Sequence, residues 1–343
     1  MRNLDIKNFP LANKKTEKFR KCNVKNITEL QYKENNFKDV TNFDFDFSNL
    51  DGFNKIVFAN EKIKEQNLID NIALKENRII INKECKNPLI VLNYYDDENT
   101  IFEKELTYIV ETNISIFEIF ISNNKKNLIN QKREFSINNS IDVEYIYLQK
   151  LSFDDFLNIK FRPIIHENAK LKFFNFNFGA SNAYNQFNVN LEYANSTFNM
   201  EALTNISKKQ EIANIVNTIH NAKNSSSTVK ANHILDENSH GIFEVKARVN
   251  NKANNSAVIQ NSKTTLLSDD AIINANPRLE IFIDELTASH GATTGSLDEN
   301  ILYYLQSRGL SKKQASIMML EAIEKTILDK ISNEQIKNII KEI

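Results

Sequence analysis

Residues 195–235 read NSTFNMEALTNISKKQEIANIVNTIHNAKNSSSTVKANHIL. Two runs in this stretch, 198–203 and 229–235, alternate apolar with polar side chains, the period of a half-buried β-strand. Each follows an asparagine corner, at Asn195 and Asn224. The same texture extends both ways: 116–122 (IFEIFIS), 141–148 (IDVEYIYL), 171–178 (LKFFNFNF), 242–249 and 279–283. Asparagine opens or precedes a run at Asn113, Asn139, Asn168, Asn195, Asn224, Asn255 and Asn276, at intervals of 26, 29, 27, 29, 31 and 21 residues. A period near 28 residues with two or more strands per repeat is that of a parallel β-helix, in which each coil buries its inward side chains on the next. Asparagine suits such corners because it tolerates left-handed backbone angles and can form hydrogen-bonded ladders. An antiparallel sandwich in an asparagine-rich chain would produce the same runs.

The β texture begins near Pro88 and stops at Gly295. Residues 1–87 predict a partly helical region, with helix formers concentrated at 14–20 and 61–66 and few apolar residues. Residues 296–343 predict a helical domain with capping boxes at Ser296/Glu299, Ser311/Gln314 and Ser332/Gln335, and Gly309 just past a helix end. In its middle helix Ala315, Met318, Ala322, Ile323, Thr326 and Ile327 fall on one face. The tail is separate from the repeats in sequence, so its loss is expected to expose little of the solenoid.

Composition narrows the function. The 343 residues carry 43 basic and 44 acidic side chains, a net charge of −1 that favours neither nucleic acid nor an anionic membrane. No stretch of about 18 apolar residues predicts a transmembrane helix, and the first residues do not read as a signal peptide; a cytoplasmic protein is expected. Cys22 and Cys85 are the only cysteines and stand far apart, too few for a self-contained zinc or iron–sulfur site, which takes about four ligands. Nucleotide-binding loops and common hydrolase motifs are missing, so the chain reads as a non-enzyme. The pairs Asp154–Asp155 and Asp269–Asp270 read as solvated loop residues. His166, His233 and His240 lie in polar surroundings and read as surface or turn residues, while His220 ends an alternating run and could face a groove. His290 differs. It follows a strand-like LEIFI run and precedes Gly291, where backbone or ligand can approach closely. Imidazole is a good borderline ligand for iron, although the residues taken alone favour a structural histidine.

Residues 277–309, PRLEIFIDELTASHGATTGSLDENILYYLQSRG, resemble the C-terminal signature of the SufB/SufD family of iron–sulfur cluster assembly proteins, and the HGAT form resembles SufD rather than SufB, whose segment reads HEAT. Upstream, residues 260–281 (QNSKTTLLSDDAIINANPRLEI) resemble the family's Q-x₂-R-N-L-L-L-S-D run, with Lys263 for the arginine and Thr264 for the asparagine. The N-terminal EKFRKC resembles a family segment in which tryptophan stands where this chain has Phe19. The resemblance implies a mainly β fold: a right-handed parallel β-helix between an N-terminal partly helical region and a C-terminal helical domain. It also implies a scaffold that pairs with SufB and binds the ATPase SufC through its C-terminal helices, or a homodimer without SufB. A transient iron–sulfur cluster would be shared with SufB, none being stably bound by the isolated chain. Of the ligands implicated in the family, only the histidine carries over, as His290; the cysteine often found two residues earlier is Ala288 here. Two alternatives stay open: a secreted-type β-helix enzyme acting on polysaccharide, and a purely structural SufD paralogue.

Overall fold

A computed structural model describes residues 21–23, 39–40, 52–123 and 126–342. Its strands fall into two sheets. The first holds β1 (Asn54–Ala59), β2 (Lys62–Asn67), β5 (Leu89–Tyr95), β7 (Ile114–Ser122), β9 (Asp142–Lys150), β11 (Lys170–Asn177), β13 (Thr197–Ile206), β15 (Ser226–Leu235), β17 (Ser256–Leu266) and β19 (Leu286–Gly295). The second holds β3 (Ile72–Lys75), β4 (Arg78–Ile81), β6 (Ile101–Val110), β8 (Leu128–Ile137), β10 (Phe156–Ile165), β12 (Asn182–Leu191), β14 (Glu211–His220), β16 (His240–Val249) and β18 (Ile272–Ile281). From β5 onward the chain alternates between the sheets, and each strand pairs in parallel with the strand two places on, for example Thr197 with Ser226 and Glu211 with His240. The result is a parallel β-solenoid of about seven turns.

Side-chain alternation builds its core. In β8, Ile129, Gln131, Arg133, Phe135 and Ile137 are buried between half-buried Asn130, Lys132, Glu134 and Ser136. Ring packing fills the middle coils: Phe161 stacks on Phe187 at 4.8 Å and Tyr145 lies 4.9 Å from Phe173. Asn168, Asn195, Asn224 and Asn255 do stand at corners, each with φ between 56° and 58°. The Asn195 amide donates to Asn168 Oδ1 at 2.8 Å, and Asn224 donates to Asn195 at 3.0 Å, so the expected ladder exists. Two of the other asparagines depart from the pattern. Ser140 takes the left-handed corner beside Asn139, and Asn276 lies inside β18 opposite Glu244.

Residues 61–66, expected to be helical, lie in the turn before β2 and in β2 itself, which pairs antiparallel with β1 at the sheet edge. Its charged, exposed side chains suit an edge strand, where charge discourages further pairing. The other helix-forming stretch, 14–20, lies outside the described residues.

The tail comprises α1 (Glu299–Ser307), α2 (Lys312–Leu328) and α3 (Glu334–Glu342). Ser311 and Gln314 form the expected capping box, and Gly309 has φ +99° with its N–H on the Gln306 carbonyl. The other two caps differ from expectation. Asp298 rather than Ser296 caps α1, and Asn333 Oδ1 accepts from the Ile336 N–H at the start of α3. In α2 Ala315 and Ile327 are buried as the face predicts, whereas Met318 points outward.

The tail is not a separable unit. Ile327, Leu328, Ile331, Ile336, Ile339 and Ile340 share one apolar cluster with Ile146, Leu148, Phe174, Phe176, Leu203 and Ile234 on the outer face of the first sheet. The Ser332 N–H donates to Glu144 at 2.8 Å, and Lys330 pairs with Glu201 at the same distance.

Candidate functional site

β19 and β18 end the solenoid: each pairs on one side only, with β17 and β16. In β17 the side chains of Val258, Gln260, Ser262 and Thr264 are buried in the interior. Their partners on β19 are Ala288, His290, Ala292 and Thr294. His290 therefore points along the interior side of the last strand, and with no coil stacked beyond β19 among the described residues it is exposed. Its Nδ1 lies 3.1 Å from the Pro277 carbonyl of β18. A carbonyl can only accept, so Nδ1–H donates and the Nε2 lone pair stays available to a metal. A Cβ added at Gly291, on the opposite face of β19, would meet nothing within 4 Å, so the outer side of the strand is open there.

The remaining candidates are scattered. His220 is fully buried, with Nδ1 2.8 Å from the Ser225 hydroxyl and Nε2 2.8 Å from that of Ser227. Burial pushes it down to about 4. It faces the interior and no groove. His233, read from sequence as a surface or turn residue, is also buried, its ring 5.3 Å from Phe243. The signal was there: Val229, Ala231, His233 and Leu235 share the inward parity of β15. His240 is half-buried, with Nδ1 2.9 Å from Glu211, and His166 stacks on Tyr193. Asp155, read as solvated, is fully buried: it accepts from the Asn127 N–H at 2.6 Å and from the Ser122 hydroxyl. Burial pushes its carboxyl up to about 6.

The two cysteines are poor ligands. Both are buried. Burial, with Glu211 and Glu244 nearby, pushes the Cys22 thiol far up, and burial beside Asp70 pushes Cys85 up to about 12. A metal needs thiolate. Among the described residues no three His, Cys, Asp or Glu side chains gather to hold a metal ion. His290 can supply one ligand, and any others must come from elsewhere.

Sequence reading missed a buried ion pair. Arg133 Nε donates to Glu118 Oε1 at 2.8 Å, with both side chains fully buried. Asn93 at 2.9 Å, Tyr108 at 2.8 Å and Tyr145 also donate to Glu118, satisfying its lone pairs. This cluster lies in early coils, far along the axis from His290.

The domain described as "SUF system FeS cluster assembly, SufBD core domain" matches residues 95–323, two-thirds of the chain. The chain belongs to the SufB/SufD family. Several of its relatives are named SufD and others SufBD family proteins. The iron–sulfur cluster assembly protein SufD of Plasmodium falciparum is 26% identical over 278 residues, 79% of this chain and 19% of that protein. SufD of Escherichia coli is 24% identical over 227 residues, 65% of this chain and 53% of that protein. SufD of Bacillus subtilis is 29% identical over 119 residues, 35% of this chain and 27% of that protein. The matches thus span from about a fifth to about a half of these curated relatives.

In the tail, α1 buries none of its residues and exposes Ile301, Tyr303 and Tyr304, while α2 exposes Ile317 and Met318. No helix among the described residues is long and apolar enough to cross a membrane.

Proposed function

We propose that this chain is a non-catalytic scaffold in iron–sulfur cluster assembly. It pairs with SufB through the open solenoid end and with the ATPase SufC through its helical tail. The observation that carries this reading is the position of His290. It occupies the inward register of a terminal strand with no coil stacked beyond it among the described residues, with Nδ1 held by Pro277. The cluster is cargo, and this chain contributes one neutral imidazole while partner thiolates supply the softer ligands. The edges of β18 and β19 offer unpaired backbone groups to a partner's strands, which would close the site from above. The apolar face of α1 and α2 supports the second contact, since exposed aromatic and aliphatic side chains on adjacent helices mark an interaction surface.

Co-expression with SufB and SufC from the same genome tests both contacts. Ala288→Arg is expected to lose SufB while keeping SufC. Tyr303→Asp with Tyr304→Asp is expected to lose SufC while keeping SufB. Retention of both partners by both variants would refute the assignment of these surfaces.

A further inference from the structure

The solenoid interior changes character along its axis. In β7–β12 it is filled by rings, among them Phe120, Tyr147, Phe161 and Phe187. Toward the open end several inward positions of the first sheet become small or polar, while Val229, Leu235, Phe243 and Val245 remain apolar. One row of paired positions runs Ala202, Ala231, Ser262, Ala292, and the next runs Thr204, His233, Thr264, Thr294.

Several inward polar atoms here have no hydrogen-bond partner among the described residues. His233 is 1% exposed, and neither ring nitrogen is hydrogen-bonded. Thr264 Oγ1, Ser262 Oγ and Gln260 Oε1 are buried and equally unpartnered. Gln260, Ser262 and Thr264 alternate along β17, so all three point inward, and His233 pairs with Thr264 across the strands. Gln260 in turn pairs with His290, and its amide donates to the Arg278 carbonyl at 3.3 Å. Burying polar atoms without partners is unfavourable, and native interiors satisfy such groups with ordered water where small side chains leave room.

We propose that bound water occupies the interior of the last coils, bridging His233, Thr264, Ser262 and Gln260 as a file that leads to the open end beside His290. A neutral imidazole both donates to and accepts from water, and burial keeps His233 neutral. The file links the buried ring to bulk solvent and lets protons exchange between them.

Nuclear magnetic resonance of the full chain labelled with ¹⁵N-histidine tests it, with five histidines to resolve. The reference is His220, equally buried in the same coils but bonded through both nitrogens to serine hydroxyls. A water-filled interior gives the His233 ring cross-peaks to water and loss of its N–H signal in D₂O well before that of His220. A His233 N–H that persists as long as His220, without water cross-peaks, overturns the proposal. In a second measurement, Thr264→Val is expected to lower the count of long-lived internal waters seen by water-proton relaxation dispersion. An unchanged count would also overturn it.

Discussion

Removing residues 329–343 takes away α3 and the turn that leads into it. Ile331, Ile336, Ile339 and Ile340 are each at most 6% exposed, pressed against the first sheet's outer face. Burying one such side chain is worth about 1.5–3 kcal/mol, so the four contribute about 6–12 kcal/mol as an upper figure. A whole domain is typically stable by only about 5–15 kcal/mol. The solenoid interior is a different cluster that does not include these residues. The truncated chain is therefore expected to keep its strand signal in far-ultraviolet circular dichroism while unfolding at a much lower urea concentration. It should also bind 8-anilinonaphthalene-1-sulfonate through the bared Phe174 and Phe176. An unchanged urea midpoint without dye binding would refute the claim that tail and solenoid share a core. The outcome bears on function, because lost SufC binding after truncation would not distinguish a missing contact from a damaged fold. The surface changes at Tyr303 and Tyr304 avoid that confusion.

Two other perturbations follow from buried polar groups. Glu118→Leu leaves Arg133 charged without its carboxylate and is expected to cost about 3–5 kcal/mol in urea unfolding, whereas adding Arg133→Met recovers much of the loss; equal stability of the single and double variants would contradict this. His220 and His233 have folded pKa values of about 4 against 6.5 for the free side chain. A depressed folded pKa means stability that is fully present above pH 6.5 and lost as the pH falls toward 4. His233→Phe is expected to flatten part of that decline relative to the parent chain; Asp155, pushed up to about 6, works in the opposite direction and is common to both proteins.

How much the sequence reveals depends on whether one face of an element or both are buried. The run 242–249 was legible because outward polar residues mark the other parity in β16, whereas β8, β10 and β12 of the second sheet were not read as strands although β8 alternates as clearly. Glu118 was not legible. In β7 the apolar pairs Ile116/Phe120 and Phe117/Ile119 lie on opposite faces, and both are buried, one by the interior and one in the cluster shared with the tail. Alternation cannot then tell which way the glutamate points. The β2 segment misled for a related reason, since an exposed edge strand selects the charged residues that also favour helices. The corner asparagines were readable because positive φ restricts the residues that fit. The residue types around His290 leave its role open in sequence. Its value as a candidate comes from the family motif together with the register of β19, which only the fold supplies.

Iron and sulfide content of the complex assembled with SufB and SufC, with this chain carrying His290 or His290→Ala, tests the central claim most directly. The ring is exposed and makes one hydrogen bond, to Pro277, so the substitution is expected to change stability by no more than about 1 kcal/mol and to leave the complex intact. Cluster formed on the assembled complex should fall sharply, because alanine offers no lone pair to iron. Full iron and sulfide loading by an intact His290→Ala complex would contradict the assignment of His290 as a ligand.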